Sequence, residues 1–409
     1  MYIITTQIGI YVMIILIYGK KGDSVKKVMK SIKKTDKTLL ILSVLLFIFG
    51  LLMIFSASSI SSFVKYGESP YYYFIKQGVF LAAGLFLFGI ISTTDTRHYY
   101  KVAEFFMIVI IAVLGGLLIY GQVMSDVKSW IPIPGFGTFQ PSEIAKVFSI
   151  LYLSVAFERH KKNYSVTSLT YPLVIALIPA GLTILQPDLG TGVIIILIVF
   201  FMFLAVPAKR RDKFKVTLHL FFAAILLLGG FILSGKSMFT DTQSTRFNFL
   251  KPCTRYTEPS GHQVCNSFIA INNGGLLGLG LGNSTQKYLY LPESHNDFIF
   301  PVIIEELGLV VGIVVILLFM VILYRILVIA RKASSLRGEL IAYGVFIFIL
   351  GHIIINLAGV LGLAPMTGLP LPFLSYGGSF CLSLIMALSM AQRVEIETRI
   401  SNETKHLKR

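Results

Sequence analysis

The sequence predicts an all-α fold, a polytopic transmembrane helical bundle. Three observations carry that prediction. Apolar residues make up 55% of the 409-residue chain against 14% charged, apolar stretches of about 20 residues recur along its length, and the basic residues sort to alternate sides of those stretches.

The composition comes first. A mean hydropathy of +0.78 is too high for a soluble globule of this size. Each apolar stretch can cross about 30 Å of hydrocarbon as a helix that satisfies its own backbone. The spans fall at 39–59, 73–93, 104–121, 141–158, 170–186, 190–207, 216–234, 299–324, 340–362 and 379–392. With the segment before residue 39 inside, 27 of the 36 Lys and Arg residues lie in inner stretches. That asymmetry is the positive-inside pattern, and it turns the 122–140 loop and the large 235–298 segment before the eighth span outward. The formal charge of +16 therefore reports topology and contact with anionic lipid. No groove-reading motif accompanies it, so no nucleic-acid partner is expected.

Residues 1–18 form a further apolar stretch, followed by Lys20, Lys21, Lys26, Lys27 and Lys30. Without a basic region before it or a small-residue cleavage site after it, an uncleaved extra helix is expected. The organisation is then an N-terminal segment and basic linker (1–37), a transmembrane domain (38–395) and a cytoplasmic tail (396–409). Cys253 and Cys265 lie in the long outer segment, where they are either joined, restricting the loop by about 3 kcal/mol, or two free thiols. Cys381 reads as a small packing residue.

Proline and glycine interrupt the helices at 131–146, 185–192, 235–298 and 363–379, all on the outer side. Irregular polar backbone at membrane depth persists only when buried in protein or lining a cavity, so these four stretches predict an outward-opening cleft. In QPSEIAK, Glu143 and Lys146 at i, i+3 either brace a helix entry as an ion pair or meet an anionic headgroup. In QPDLGTG, Asp188 either caps the next helix or shapes the cleft. The glycine-rich run from Gly274 lacks the βαβ context of a dinucleotide fingerprint. After it comes a polar cluster, Glu293, Ser294, His295, Asn296 and Asp297, at the mouth of the eighth span. Asp297 reads as an N-cap or as a chemical group. Glu305 and Glu306 read as a structural pair or as catalytic acids. His352 and Asn356, at i, i+4, read as buried polar packing, and the final outer stretch presents Ser375 and Tyr376.

Taken together and in order, LLMIFSASS (51–59), FQPSEIAK, QPDLGTG, GLGNSTQKYLYLPESHNDFIFPVIIEELG and TGLPLPFLSYGGS resemble the SEDS family (FtsW, RodA, SpoVE), with GNSTQKYLYLPE nearest the FtsW branch. The resemblance covers about residues 38–395. It implies a ten-helix bundle in the bacterial cytoplasmic membrane and a peptidoglycan glycosyltransferase acting on undecaprenyl-linked lipid II at the outer face. It also implies a class B penicillin-binding protein transpeptidase as partner, among other division or elongation proteins. By that resemblance Asp297 is the key catalytic residue, and Glu143 and Lys146 are functionally sensitive. The chain departs from the pattern where a basic residue usually precedes Trp130: Ser129 stands there, with Lys128 one position earlier.

The implied reaction expels a diphosphate, which needs cations more than a general acid. Asp297 is then the expected base, with Lys146, Arg246, Arg255 and Lys287 as clamp candidates. Lys128, Glu143, Asp188, Glu293, His295, Glu306 and Ser375 complete the expected substrate-binding set. A divalent cation, Mg or Mn, would share the clamp's task, although no ligand spacing compels it. A lipid II flippase and a scaffold without activity are the rival readings; the sidedness of the interruptions disfavours the flippase.

Overall fold

The computed structural model describes residues 33–120, 122–124, 127–133, 137–233, 241–288 and 290–407. The expected helix at 1–18 lies outside the described residues.

In chain order the helices are α1 (Lys37–Tyr66), α2 (Tyr72–Thr93), α3 (Tyr99–Tyr120), α4 (Pro141–Arg159), α5 (Val166–Leu185), α6 (Leu189–Ala205) and α7 (Arg210–Leu233). They continue as α8 (Asp241–Phe247), α9 (Pro259–Gly274), α10 (Ile299–Lys332), α11 (Leu336–Val360) and α12 (Gly378–Leu407). Every predicted span coincides with one of these helices. Among the described residues seven of them, α1, α2, α3, α5, α10, α11 and α12, are long and apolar enough to cross a membrane by length and composition. Of the other three, α6 is apolar but only 17 residues long, while α4 and α7 carry charges within their length.

The charges of α4 are tolerated because that helix is not on the lipid side. Nearly all of Pro141–Glu158 is buried, packed among α3, α5, α6, α11 and α12. Polar side chains at membrane depth then face protein. At the end rich in Lys and Arg, Glu158 of α4 meets Arg337 of α11 at 3.0 Å and accepts from the Tyr100 hydroxyl at 2.5 Å. Asp36 caps α1 by accepting from the Leu39 amide at 2.8 Å, and it pairs with Arg325 of α10. The last helix runs through position 395 to Leu407, so the boundary expected there falls inside a helix.

Two stretches differ from the sequence reading. Part of the loop at 122–140, expected on the outer side, is a small antiparallel sheet of β1 (Gln122–Met124), β2 (Val127–Ile133) and β3 (Gly137–Phe139), in that spatial order. Ile131 faces Phe139 and Ile133 faces Gly137. The β-branched and aromatic residues around Trp130 favour pairing, and Gly137, at φ 103°, takes a conformation few other residues adopt. The long segment holds α8 and α9 rather than loop alone. Pro259 opens α9 at its first turn, where its missing N–H costs nothing.

The glycine-rich run after α9 has a structural explanation. Within α10, Gly308 sits at φ 86°, ψ 165°, which breaks the helical ladder one residue past Leu307. The backbone of 275–280 replaces the lost bonds. Leu279 N donates to Glu305 O at 3.0 Å and Gly280 N to Glu306 O at 2.8 Å, while Leu309 N donates to Gly275 O at 3.0 Å. The two backbones approach so closely that a Cβ on Gly308 would lie 2.2 Å from Leu276 O, and one on Gly278 would lie 2.3 Å from Glu306 O. Gly308→Ala therefore combines a strained dihedral with a backbone clash. It is expected to destabilise the fold by about 2–3 kcal/mol, read as a lowered midpoint of thermal unfolding in detergent; an unchanged midpoint would show that the run and α10 are not paired.

Candidate active site at the loop end of the bundle

Asp297 stands immediately before α10, in the tight segment that follows the glycine-rich run. Its carboxylate does not cap that helix. The N-cap position is Phe298, and no side chain bonds the first turn. The carboxylate is buried, 9% exposed as a residue, and faces Gly368, whose Cβ, were one present, would meet Asp297 Oδ2 at 3.8 Å. Gly368 adopts φ 73°, so the close passage of the 363–377 segment is tied to glycine there. Burial and the neighbouring Glu293 carboxylate push the Asp297 carboxyl up to about 7, opposed by its own amide N–H and by Arg246 of α8. A carboxylate with that affinity takes a proton near neutral pH.

Around it, Glu293 is exposed at φ 58°, and Asn296 donates to it. The His295 ring is buried against Tyr73, with centroids 4.3 Å apart, and its carbonyl accepts from Tyr376 N at 2.9 Å. Asn356 of α11 donates from Nδ2 to Asp297 O and to Leu369 O, both at 2.8 Å. Arg246 lies in the last turn of α8. Glu293 and His295 thus share the segment of Asp297, and the charge of Arg246 acts on the Asp297 carboxyl.

The other candidates are placed elsewhere or engaged internally. Lys287 was a clamp candidate, but its ammonium donates to Glu306 Oε1 and Gly282 O, each at 2.7 Å, and to Ser56 Oγ at 3.2 Å. Lysine has three donors, so Lys287 and Glu306 tie the loop to α1 and α10 instead of facing a ligand. Glu305 does not pair with Glu306; it accepts from Ser284, from Thr285 Oγ1 at 2.8 Å and from Asn273 at 3.1 Å. Arg255 donates to Glu258 at 2.8 Å and to Leu250 O at 3.0 Å within the loop. The Ser375 hydroxyl accepts from Leu371 N at 2.8 Å and shapes a turn. The side chain of Lys128 lies outside the described residues, while Ser129 beside it is fully buried.

A second buried cluster lies on α4. Lys146 donates to Glu143 at 2.8 Å and to His352 Nε2 at 2.9 Å. Because an ammonium only donates, Nε2 accepts and the imidazole proton sits on Nδ1, which donates to Pro370 O at 3.2 Å. Lys146 is 0% and Glu143 2% exposed, so in this structure neither reaches a lipid headgroup. Asp188 caps α6 through the Thr191 amide at 3.1 Å and accepts from Gln140 at 2.8 Å; its carboxyl is raised chiefly by burial and lowered in part by Lys146. The reading of Asp188 as a cap fits this geometry.

Cys253 and Cys265 are joined, with Cα atoms 4.9 Å apart. The bond fastens the 3-10 turn at Pro252–Arg255 to α9 and limits the unfolded loop, a contribution of about 3 kcal/mol. Among the described residues no group of three or more His, Cys, Asp or Glu side chains is placed to hold a metal ion.

The reading of His352 and Asn356 as buried polar packing agrees with the structure, where both are buried and hydrogen-bonded. Two polar residues one turn apart in an apolar helix point the same way, but the main-chain carbonyls and the Lys146 ammonium that they meet are marked by no pattern in the sequence.

A deeply buried polar helix, a helix broken at Gly308 and a buried carboxylate in the segment before it define a class, a polytopic helical membrane protein with polar groups held inside the bundle. Residues 36–400 match the family described as Cell cycle protein (FtsW, RodA, SpoVE), and the chain belongs to that family. It is 36% identical to a probable peptidoglycan glycosyltransferase FtsW of Bacillus subtilis, over 92% of this chain and 94% of that protein. It is 35% identical to the stage V sporulation protein E of the same organism, over 90% of this chain and 99% of that protein. Among solved structures, a chain from the work titled "Structural coordination of polymerization and crosslinking by a peptidoglycan synthase complex" superposes with a TM-score of 0.68 at 23% identity, covering 89% of this chain and 98% of that one. At that identity the likeness bears on the fold.

Proposed function

We propose that the chain is a peptidoglycan glycosyltransferase that polymerises lipid II into glycan strands at the outer face of the cytoplasmic membrane during cell division. The observation that carries this reading is the Asp297 carboxylate, buried at the loop end, unused by the helix it precedes and raised to about 7. Such a group accepts the proton of a sugar hydroxyl as its oxygen attacks the anomeric carbon of the donor. The bond to the diphosphate breaks, and undecaprenyl diphosphate leaves as an anion. Arg246, whose charge acts on the Asp297 carboxyl, is the cation this reading assigns to stabilise the developing diphosphate charge. Magnesium or manganese arriving with the diphosphate would share that task. The names of the relatives support the activity, and a class B penicillin-binding protein transpeptidase is the partner this reading expects.

The test is polymerisation by the purified protein, with its partner transpeptidase, of labelled lipid II in membranes. Glycan strands are the expected product. Translocation of the headgroup across liposomes without strand formation would replace this reading with a flippase.

A further inference from the structure

We propose that Asn356 is the positioning residue for Asp297, locking the segment before α10 to the 363–377 segment so that the carboxylate is held facing Gly368. The inference rests on the assignment of Asp297 given above. Both Nδ2 protons of Asn356 are used, one on the Asp297 carbonyl and one on the Leu369 carbonyl, each at 2.8 Å. A single side chain therefore spans two segments 72 residues apart in sequence, one holding the carboxylate and the other the glycine it faces. Asn356 is 4% exposed, so water does not easily replace those bonds. One turn earlier on α11, His352 holds the next carbonyl, that of Pro370, at 3.2 Å, and holds Lys146 at 2.9 Å. Two polar residues on one helix face thus fix consecutive carbonyls of the 363–377 segment and connect them to the α4 ion pair. Asn356 Oδ1 has no partner among the described residues, so the amide is held by its donors alone and would turn if either carbonyl moved.

Without this bracket, the peptide of Asp297 and the Leu369 backbone lose their shared anchor. The carboxylate shifts against Gly368, and a misplacement of about 1 Å costs about 100-fold in rate. The groups facing the carboxylate are Glu293 from its own segment and Arg246 from α8; Asn356 and Gly368, from α11 and the 363–377 segment, do not titrate.

The experiment measures steady-state glycan synthesis and its pH profile for the full-length protein with its partner, in wild type, Asn356→Ala and Asn356→Gln, alongside the thermal unfolding midpoint of each. Asn356→Ala is expected to lower kcat by about 10- to 100-fold with KM within about twofold. Its acid limb moves to higher pH, because residue 297, released at its carbonyl, no longer holds its own N–H against its carboxylate. Asn356→Gln keeps both donors on a longer arm and restores part of kcat; if the alanine variant does not fold, the glutamine variant decides on the same criteria. An unmoved acid limb, or a loss that merely tracks the unfolded fraction, overturns the inference. Asp297→Asn is assayed in parallel. If it remains active, the assignment of the base falls and this inference with it. If it is inactive while both Asn356 variants match wild type, the positioning role alone falls.

Discussion

Asp297→Asn is expected to reduce glycan polymerisation by about 10²–10⁴-fold while leaving the protein folded. The amide keeps the size of the carboxylate and loses only its basicity. The structure explains why folding should survive: α10 starts without a side-chain cap, and the bond that anchors residue 297 is made by its backbone carbonyl to Asn356. The pH profile provides an independent check. The base works ionised, and burial together with Glu293 raises its carboxyl to about 7. Activity should therefore climb as pH rises through about 7 and fall about tenfold for each unit below it. Glu293→Gln removes the repulsive neighbour and should move that limb toward lower pH. Retained polymerisation by a folded Asp297→Asn protein would exclude the carboxylate as base.

How much of this was legible in the sequence depends on whether the cause is local. The helices were legible because crossing a bilayer demands an unbroken apolar length, and each such length is written out in consecutive residues. Pro141 with Glu143 marked the start of α4, and Glu143 and Lys146 at i, i+3 marked their pairing, because helix geometry fixes both. The partner of Lys287 was not legible. Glu306 lies 19 residues away, and the pair exists only because the glycine-rich run folds back along α10. Those glycines read as a loop or a failed nucleotide motif, whereas their role is to let two backbones touch at a helix break. The same limit applied to Cys253 and Cys265, whose spacing allowed a bond without requiring it, and to Asn356, whose acceptors are main-chain carbonyls. At the site, the type of residue was legible for Asp297. That its carboxylate is spared from capping depends on Phe298 occupying the N-cap, which only the folded chain shows.

Lys146→Met is expected to destabilise the protein by about 3–5 kcal/mol, because it strands a buried carboxylate. Among the described residues Glu143 would retain the Ser383 hydroxyl, at 3.4 Å, too long for a strong bond. Glu143→Gln should cost a comparable amount for the opposite reason, removing the counter-charge and leaving the buried ammonium with an amide oxygen, His352 and the faces of Phe348 and Phe380 at 5.4 and 5.7 Å. The double variant Glu143→Gln/Lys146→Met removes both charges and should recover most of the loss, since a buried ion pair is often replaceable by neutral groups of similar volume. Thermal unfolding of the four proteins in the same detergent measures the cycle, and additive losses in the double variant would show that the two side chains do not pair. Assaying glycan synthesis on the same set then separates two roles that stability alone merges. If the stable double variant polymerises normally, the pair only braces α4. If it is stable yet inactive, the charge of Lys146 acts on the reaction through His352 and the Pro370 carbonyl, the connection that leads to the segment facing Asp297.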